Sequence, residues 1–389
     1  LQRNLGHTGL QWIVGDQYAF PVHWLEIISD CSISSRIVIL LFSISLPMPD
    51  FNVTIRASGK QFTVRDDETI LSAALRQGIM LSYSCRNGSC GSCQGRVLQG
   101  QVHYPQQPPQ ALNQQQLAAG EALLCQAVPQ SDLIIQAQEL DAVRDIPVRL
   151  LPARVQSRDL LAPNVARLRL KLPQGQRLQY LAGQYIDILL PGGERRAFSL
   201  ANAPHEEAEL ELHVRHVEGG DFTQYVFHEM PERAIVRFEG PLGTFFLREE
   251  STRPMLMMGG GTGYAPLKAM LEHALHSGLD RPVHLFWGAR NRAELYALEQ
   301  ARDFARASEQ IRFDAVLSEP APEDDWHGAT GWVHEALLHD YAQELADYDV
   351  YMSGPPAMIS AAREAFFAAG LPQQQLFYDS FDFAPRSAG

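Results

Sequence analysis

Cysteine is scarce, with five among 389 residues, an odd number. A secreted disulfide framework is denser and usually even in count, so a reducing compartment, the cytoplasm, is expected instead. Positive charge is also thin. Lys and Arg total 32 against 45 Asp and Glu, a formal charge of -13, and no basic block stands out. Phosphate backbones demand a clustered positive field, so no nucleic-acid partner is expected. An acidic surface does suit a basic protein partner. Long apolar runs are missing too. Ile37–Leu46 is only ten residues long, against the roughly 20 a spanning helix needs, so no membrane span is expected. The chain starts with Leu1, and its first Met is Met48. Upstream of Met48 there is no clear basic n-region followed by a small-residue cleavage site. Residues 1–47, with the lone Cys31, are read as an extension outside the fold, of the kind an over-called gene start adds.

The length exceeds what one core fills. FNVTIRA (51–57) and QFTVR (61–65) alternate about Ser58-Gly59, which predicts a hairpin. ETILSAALRQG (68–78) follows as an amphipathic helix closed by Gly78. Strands are expected at 95–102 and after Cys125, with a Gln/Pro-rich loop over 106–116. From about Ile146 the runs VRLLPARVQSRDLL, VARLRLKL, YIDILL, RRAFSLAN, ELELHVRHV and AIVRFEGPLG predict a small antiparallel barrel. From Pro254 strands and helices alternate, with helices at YAPLKAMLEHALHSG, Ala293–Ala307, Val333–Tyr341 and PPAMISAAREAFFAAG. That series predicts a doubly wound parallel sheet.

What cysteine there is, is concentrated. SYSCRNGSCGSCQG (82–95) holds Cys85, Cys90 and Cys93, and Cys125 lies downstream. C-x4-C-x2-C…C is the order of a plant-type [2Fe–2S] site. Two irons need four thiolates; one tight loop supplies three, and a separate segment supplies the fourth. Gly88, Ser89, Gly91 and Ser92 are small enough for the backbone to curl over a cluster and aim its N–H groups at the sulfurs. The competing readings are a structural zinc site and free thiols. Zinc ribbons usually carry two C-x2-C pairs, and here there is one. The spacing favours the cluster.

A one-electron cluster beside a doubly wound domain calls for a flavin, which converts a two-electron hydride into single electrons. In RRAFSLAN (195–202), Arg196 suits a pyrophosphate, Phe198 the isoalloxazine and the Ser199 hydroxyl the flavin's redox edge. Alone, R-x-F-S is equally a strand with a surface Arg. HVRHVEGGDFT (213–223) adds Gly219, Gly220 and Thr223, a turn whose amides suit phosphate. GPLGTF (240–245) closes the predicted barrel. GGGTGYAP (259–266), with Gly260, Gly261, Thr262 and Gly263, follows a strand and opens a helix, the place for a diphosphate. It departs from G-x-G-x-x-G, because Tyr264 stands where the third Gly or Ala belongs. YMSGPPAM (351–358), with Ser353, Gly354 and Pro355, is a second turn expected on the same carboxyl edge.

From Met48 onward the ordered set resembles the flavin-dependent ferredoxin–NAD(P)H reductases with an N-terminal plant-type ferredoxin domain. The carrying segments are CRNGSCGSC, LAGQYIDILLPGGERRAFSLANAP, LHVRHVEGGDFT, RFEGPLGTFFLRE, GGGTGYAPLKAM, FWGAR…ELY, TGWVHEA and YMSGPPAM. The likeness is greatest to the CDP-6-deoxy-3,4-glucoseen reductase group, with the reductase components of phenol and benzoate oxygenases related to it. The resemblance implies a β-grasp ferredoxin domain at 48–140, an antiparallel β-barrel FAD domain at 146–250 and an α/β doubly wound NAD domain at 253–389. It implies a [2Fe–2S] cluster on Cys85, Cys90, Cys93 and Cys125. It implies FAD on Arg196, Phe198 and Ser199, with phosphate help from Gly219, Gly220 and Thr223. Nicotinamide dinucleotide is implied on Gly260, Gly261, Thr262 and Gly263 and on Ser353, Gly354 and Pro355. Ser199 and Ser353 take the catalytic places; many relatives have Cys where Ser353 stands. YDSFDF (378–383) resembles the family's ending, and its aromatics fit either a flavin cover or the core. Arg290 and Arg292 fit either a 2′-phosphate or solvated helix-start charges. GAR segments recur in NADH-using relatives, so NADH is expected, with NADPH the alternative. The implied relay runs from NADH to FAD to the cluster to a redox partner protein, either a dehydratase or an oxygenase component.

A reading from another class is a zinc-stapled binding protein without catalysis. The two part on colour and turnover. The reductase reading predicts a brown-yellow protein that bleaches with NADH and reduces cytochrome c or ferricyanide; a colourless protein inert to NADH would contradict it.

Overall fold

The computed structural model describes residues 50–381 except 66, 106–107, 141–142, 144 and 207. The expected extension over 1–47, Cys31 and the last two residues of YDSFDF lie outside the described residues. Three sheets follow one another along the chain. In the first, β1 (Phe51–Ile55) and β2 (Gln61–Val64) form the expected hairpin. Helix α1 (Ile70–Arg76) begins where the Thr69 hydroxyl accepts the Ser72 N–H at 3.2 Å. Its Ile70, Leu71, Ala73 and Ala74 are buried. Strands β3 (Gln94–Gln99), β4 (Glu121–Leu123) and β5 (Leu133–Gln136) complete a mixed sheet in the order β2-β1-β5-β3-β4. The strand expected over 95–102 stops at Gln99. Gly100 turns the backbone at φ 94°, and Val102–His103 pairs instead with Val128–Pro129.

The second sheet holds β6 (Arg149–Ala162), β7 (Val165–Lys171), β8 (Tyr185–Leu189), β9 (Arg195–Ser199), β10 (Leu210–Arg215) and β11 (Ile235–Leu242). All its pairs are antiparallel, in the order β9-β8-β11-β6-β7-β10. Leu151, Ala153 and Val155 point into a core shared with Ile186, Leu212 and Phe238, while Arg154 and Gln156 face water. This is the period of two that marks a strand with one wet face. The expected closed barrel is not completed as a ladder. Among the described residues, the edge strands meet at an isolated Leu200–Leu212 bridge and an Ala201 N–H to Glu211 carbonyl bond of 2.8 Å. Beyond that point Asn202 takes over the pairing. Its Nδ2 donates to the Glu206 and Glu209 carbonyls, and its Oδ1 accepts the Glu211 N–H.

The third sheet is wholly parallel, as the alternating pattern requires. It runs β12 (Met255–Gly260), α2 (Tyr264–Ser277), β13 (Val283–Ala289), α3 (Leu298–Ala307), β14 (Ile311–Leu317), β15 (Ala329–Thr330), α4 (Val333–Tyr341), β16 (Asp349–Gly354), α5 (Pro356–Ala368) and β17 (Leu376–Ser380). The order is β15-β14-β13-β12-β16-β17, so the sheet switches direction of growth between β12 and β16. Both glycine turns leave those two strands, at the crevice where such sheets bind ligands. Separate apolar cores fill the two faces. Helix α3 begins at Leu298 rather than Ala293, because Asn291 caps a short 3-10 turn at Arg292–Glu294 first.

The second and third sheets share a buried ionic joint. Lys268 on α2 donates to the Ala201 carbonyl at 2.8 Å and pairs with Glu272 at 2.7 Å and Glu211 at 3.3 Å. His213 is fully enclosed between Glu211 and the Tyr296 hydroxyl, and burial pushes its pKa down. Burial alone raises a carboxyl, yet the His213 hydrogen bond and the Lys268 ammonium hold Glu211 down at about 2. A depressed carboxyl stabilises the fold fully above its unfolded value and loses that contribution as pH falls through the folded one. The joint therefore weakens between pH 4.5 and about 2, by about 3 kcal/mol. Urea unfolding across that range is expected to show the loss in the native chain and a flatter profile in Glu211→Gln.

Candidate functional site

The cysteine loop curls tightly. Gly88 and Gly91 both sit at φ 82°, and Arg86 at φ 59°, conformations that a side chain resists and glycine accepts. The curl turns amides onto sulfurs. The Cys90 N–H donates to Cys85 Sγ at 3.4 Å, and the Ser92 N–H to Cys90 Sγ at 3.4 Å. Cys93, Cys90 and Cys125 are buried, and Cys85 is half-buried. The thiols fall into two pairs. The Cys90 thiol hydrogen-bonds Cys85 and draws its pKa down to about 5, while that bond and burial push Cys90 well up. Cys93 is pushed well up by its bond with Cys125 and by burial. Among the described residues, no three of these sulfurs gather within 4.8 Å. A single zinc at about 2.3 Å from each sulfur would bring all four within about 4 Å of one another. Two pairs held apart fit two irons instead.

The loop is seated on the other two sheets. Tyr83 N–H donates to Thr244 Oγ1 at 2.8 Å, and the Thr244 N–H and hydroxyl both donate to the Tyr83 carbonyl, at 3.1 and 2.8 Å. The Gly243 N–H donates to the Tyr83 hydroxyl at 3.1 Å. The Tyr185 hydroxyl donates to the Ser84 carbonyl at 3.0 Å, and the Ser84 hydroxyl donates to the Asp379 carboxylate. The same carboxylate accepts from Ser199 Oγ at 3.4 Å. Asp379 thus touches both the residue before Cys85 and the serine selected for the flavin's redox edge. Tyr83, Ser84, Ser199, Thr244 and Asp379 are all buried.

Around Ser199 the selected residues come together in part. Phe198 packs its ring on Phe222 at 5.3 Å, which brings β9 against the 219–223 loop. Thr223 Oγ1 is used within that loop, accepting the Val217 N–H and donating to backbone carbonyls. Arg196 pairs with Glu194 at 2.6 Å and bonds the Arg195 carbonyl.

The two glycine turns lie against each other. A Cβ on Gly263 would overlap the Ser353 carbonyl oxygen, and one on Gly260 would overlap Met358. Ser353 is completely buried, and among the described residues its hydroxyl has no partner. A buried hydroxyl left unpaired costs about 1–3 kcal/mol, so a partner able to bond it would be stabilising there. Trp287 Nε1 donates to the Gly261 carbonyl at 3.0 Å and stacks on Tyr264 at 4.2 Å, filling the third-glycine position with packed aromatics. Arg290 is tied to Glu294, which Arg215 also meets at 3.1 Å; Arg292 bonds the Asp324 carbonyl. Sequence reading did not single out Asp379, Thr244, Arg215 or Glu294. All four lie inside segments quoted above, GPLGTF, HVRHVEGGDFT, FWGAR…ELY and YDSFDF, but the glycines, aromatics and other residues of those segments carried the reading.

The chain matches three domain families: the 2Fe-2S iron-sulfur cluster binding domain over residues 53–130, the oxidoreductase FAD-binding domain over 152–247 and the oxidoreductase NAD-binding domain over 257–364. It is 37% identical over 330 residues to the CDP-6-deoxy-L-threo-D-glycero-4-hexulose-3-dehydrase reductase of Yersinia pestis, covering 85% of this chain and 98% of that protein. It is 36% identical over 343 residues to the reductase component of phenol 2-monooxygenase from Pseudomonas sp. (strain CF600), covering 87% and 96%. Among solved structures, a cytochrome P450 reductase from Amycolatopsis superposes with a TM-score of 0.69 at 33% identity, covering 85% and 98%.

The contact between the two turns gives a sharp test. Gly263→Ala is expected to force them apart and raise the KM for NADH at least tenfold in ferricyanide assays, with the thiol loop unaffected; an unchanged KM would separate these turns from the nucleotide.

Proposed function

The chain belongs to the family of iron–sulfur flavoprotein reductases that join 2Fe-2S, FAD-binding and NAD-binding domains, and from that premise we propose how its residues divide the work. Cys85, Cys90, Cys93 and Cys125 hold the [2Fe–2S] cluster. Arg196, Phe198 and Ser199 hold FAD, with phosphate contacts from Gly219, Gly220 and Thr223. Gly260, Gly261, Thr262 and Gly263 hold the dinucleotide together with Ser353, Gly354 and Pro355. The domains run over 48–140, 146–250 and 253–389, the first a β-grasp and the second a barrel whose seam is the Leu200–Leu212 bridge. When bound, the three groups supply hydride transfer, storage of two electrons and their release one at a time.

The protein's own part is placement and exclusion of water. The observation that carries this reading is Asp379, whose carboxylate meets Ser199 on one side and Ser84 on the other. It fixes the Ser199 hydroxyl at the flavin's redox edge and seats the cysteine loop against the same point. The unpartnered Ser353 hydroxyl supplies a buried polar contact for the nicotinamide from the other side. Arg290 already has Glu294 as counter-ion, and a 2′-phosphate would meet that carboxylate, which supports NADH over NADPH. The small, odd cysteine count suits a reducing compartment, and we place the protein in the cytoplasm.

For the partner we propose a dehydratase of a CDP-linked hexose, as named for the Yersinia relative, with an oxygenase component as the second reading on the strength of the Pseudomonas relative. The paired sulfurs speak against the zinc-stapled alternative. Cys90→Ser is expected to keep ferricyanide reduction by NADH and lose cytochrome c reduction by more than tenfold. If cytochrome c reduction persisted, the cluster would not be the exit. NADH-driven turnover with a purified dehydratase, against an oxygenase component, then decides between the two partners.

A further inference from the structure

One charged side chain touches the cysteine loop from an unexpected direction. Arg363 lies two turns into α5, the helix that starts at the Ser353–Pro355 turn. Its Nη1 donates to the Cys90 carbonyl at 3.1 Å. Its guanidinium lies 4.8 Å from the centre of the Tyr378 ring, and among the described residues its buried Nε has no partner. Gly91 makes room for it: a Cβ there would stand 3.1 Å from Arg363 Nη1 and 3.4 Å from the Tyr378 hydroxyl. Among the described residues no carboxylate stands within ion-pair distance of Arg363. The guanidinium is half-buried and faces the Cys90–Ser92 segment.

We propose that Arg363, supplied by the nucleotide-binding domain, sets the reduction potential of the cluster held by the cysteine loop. The inference rests on the reading that Cys85, Cys90, Cys93 and Cys125 hold a [2Fe–2S] cluster. Gaining one electron adds one negative charge to that cluster, and a nearby cation partly shielded from water stabilises the charged product. Net charge, hydrogen bonds and solvent exposure are the quantities that set such potentials. Arg363 contributes through all three: a charge, a hydrogen bond to the loop backbone and a cover against water. The electron itself comes from the NADH-driven reductase activity, so the step needs no added reductant. The chain thereby makes the cluster a better acceptor only while the nucleotide-binding domain is docked on it.

Potentiometric titration of the holoprotein, reading the reduced cluster by EPR, tests this. Arg363→Gln keeps a donor for the Cys90 carbonyl but removes the charge. At a fixed poise its ratio of reduced to oxidised cluster is expected to fall about tenfold, a midpoint about 59 mV more negative. Arg363→Lys keeps the charge and is expected to stay near the native value. Ser360→Glu places a carboxylate three residues away on an exposed position of the same helix. It is expected to shift the midpoint in the same direction as Gln, by less, with packing untouched. Should the Gln variant lose its cluster, Ser360→Glu decides alone. An unchanged midpoint in Ser360→Glu and Arg363→Gln, or equal shifts in Gln and Lys, would overturn the proposal. A native holoprotein with no EPR signal after reduction would instead overturn the cluster reading beneath it.

Discussion

Tyr83 and Ser84 carry the joint on which the rest depends. These two buried residues precede Cys85 and make hydrogen bonds to Thr244 and Gly243, just after β11, to Tyr185 on β8 and to Asp379 on β17. Each such bond contributes about 1 kcal/mol net, but each would cost more if broken inside the seam, where no water replaces it. The result is a loop fixed in position rather than tethered by a linker. Electron transfer falls steeply with distance, so on the proposed arrangement of cofactors a fixed loop keeps the path to the cluster short. Only interactions that survive burial can do this, which explains why the seam is built of hydroxyls, amides and one carboxylate.

The nucleotide side obeys a different constraint, that of close backbone approach. Gly260 and Gly263 allow the turns after β12 and β16 to touch, and the sheet's change of direction puts both at one edge. The Trp287 indole and the Tyr264 ring then occupy the volume that a third glycine would leave open in the commoner turn. The buried Lys268 joint fixes the angle between this sheet and the antiparallel one. A lone buried ammonium would be costly, and two carboxylates with a carbonyl satisfy it.

Much of this was legible along the chain because it is local. The spacing of Cys85, Cys90 and Cys93 lies in one loop, the alternation of Leu151, Ala153 and Val155 in one strand, and the glycine turns directly after their strands. What was not legible joins residues far apart. Ser84 and Asp379, Tyr83 and Thr244, and Cys90 and Arg363 meet only after three sheets have formed, and no periodicity records such pairs. The incomplete barrel seam is the same lesson. Each strand was visible, but whether the edges zip depends on Asn202, a polar residue that diverts the backbone after β9. The start of α3 moved for a local reason, because Asn291 is a better cap than the residues that follow it.

The central claim is that the cysteine loop is already docked where electrons leave the flavin. Stopped-flow absorbance, following cluster bleaching after flavin reduction by excess NADH, tests it directly when run at increasing glycerol viscosity. A docked loop predicts a single rate that does not change with protein concentration or viscosity. A rate that falls in proportion to viscosity would mean that the loop must travel first, and would contradict the account.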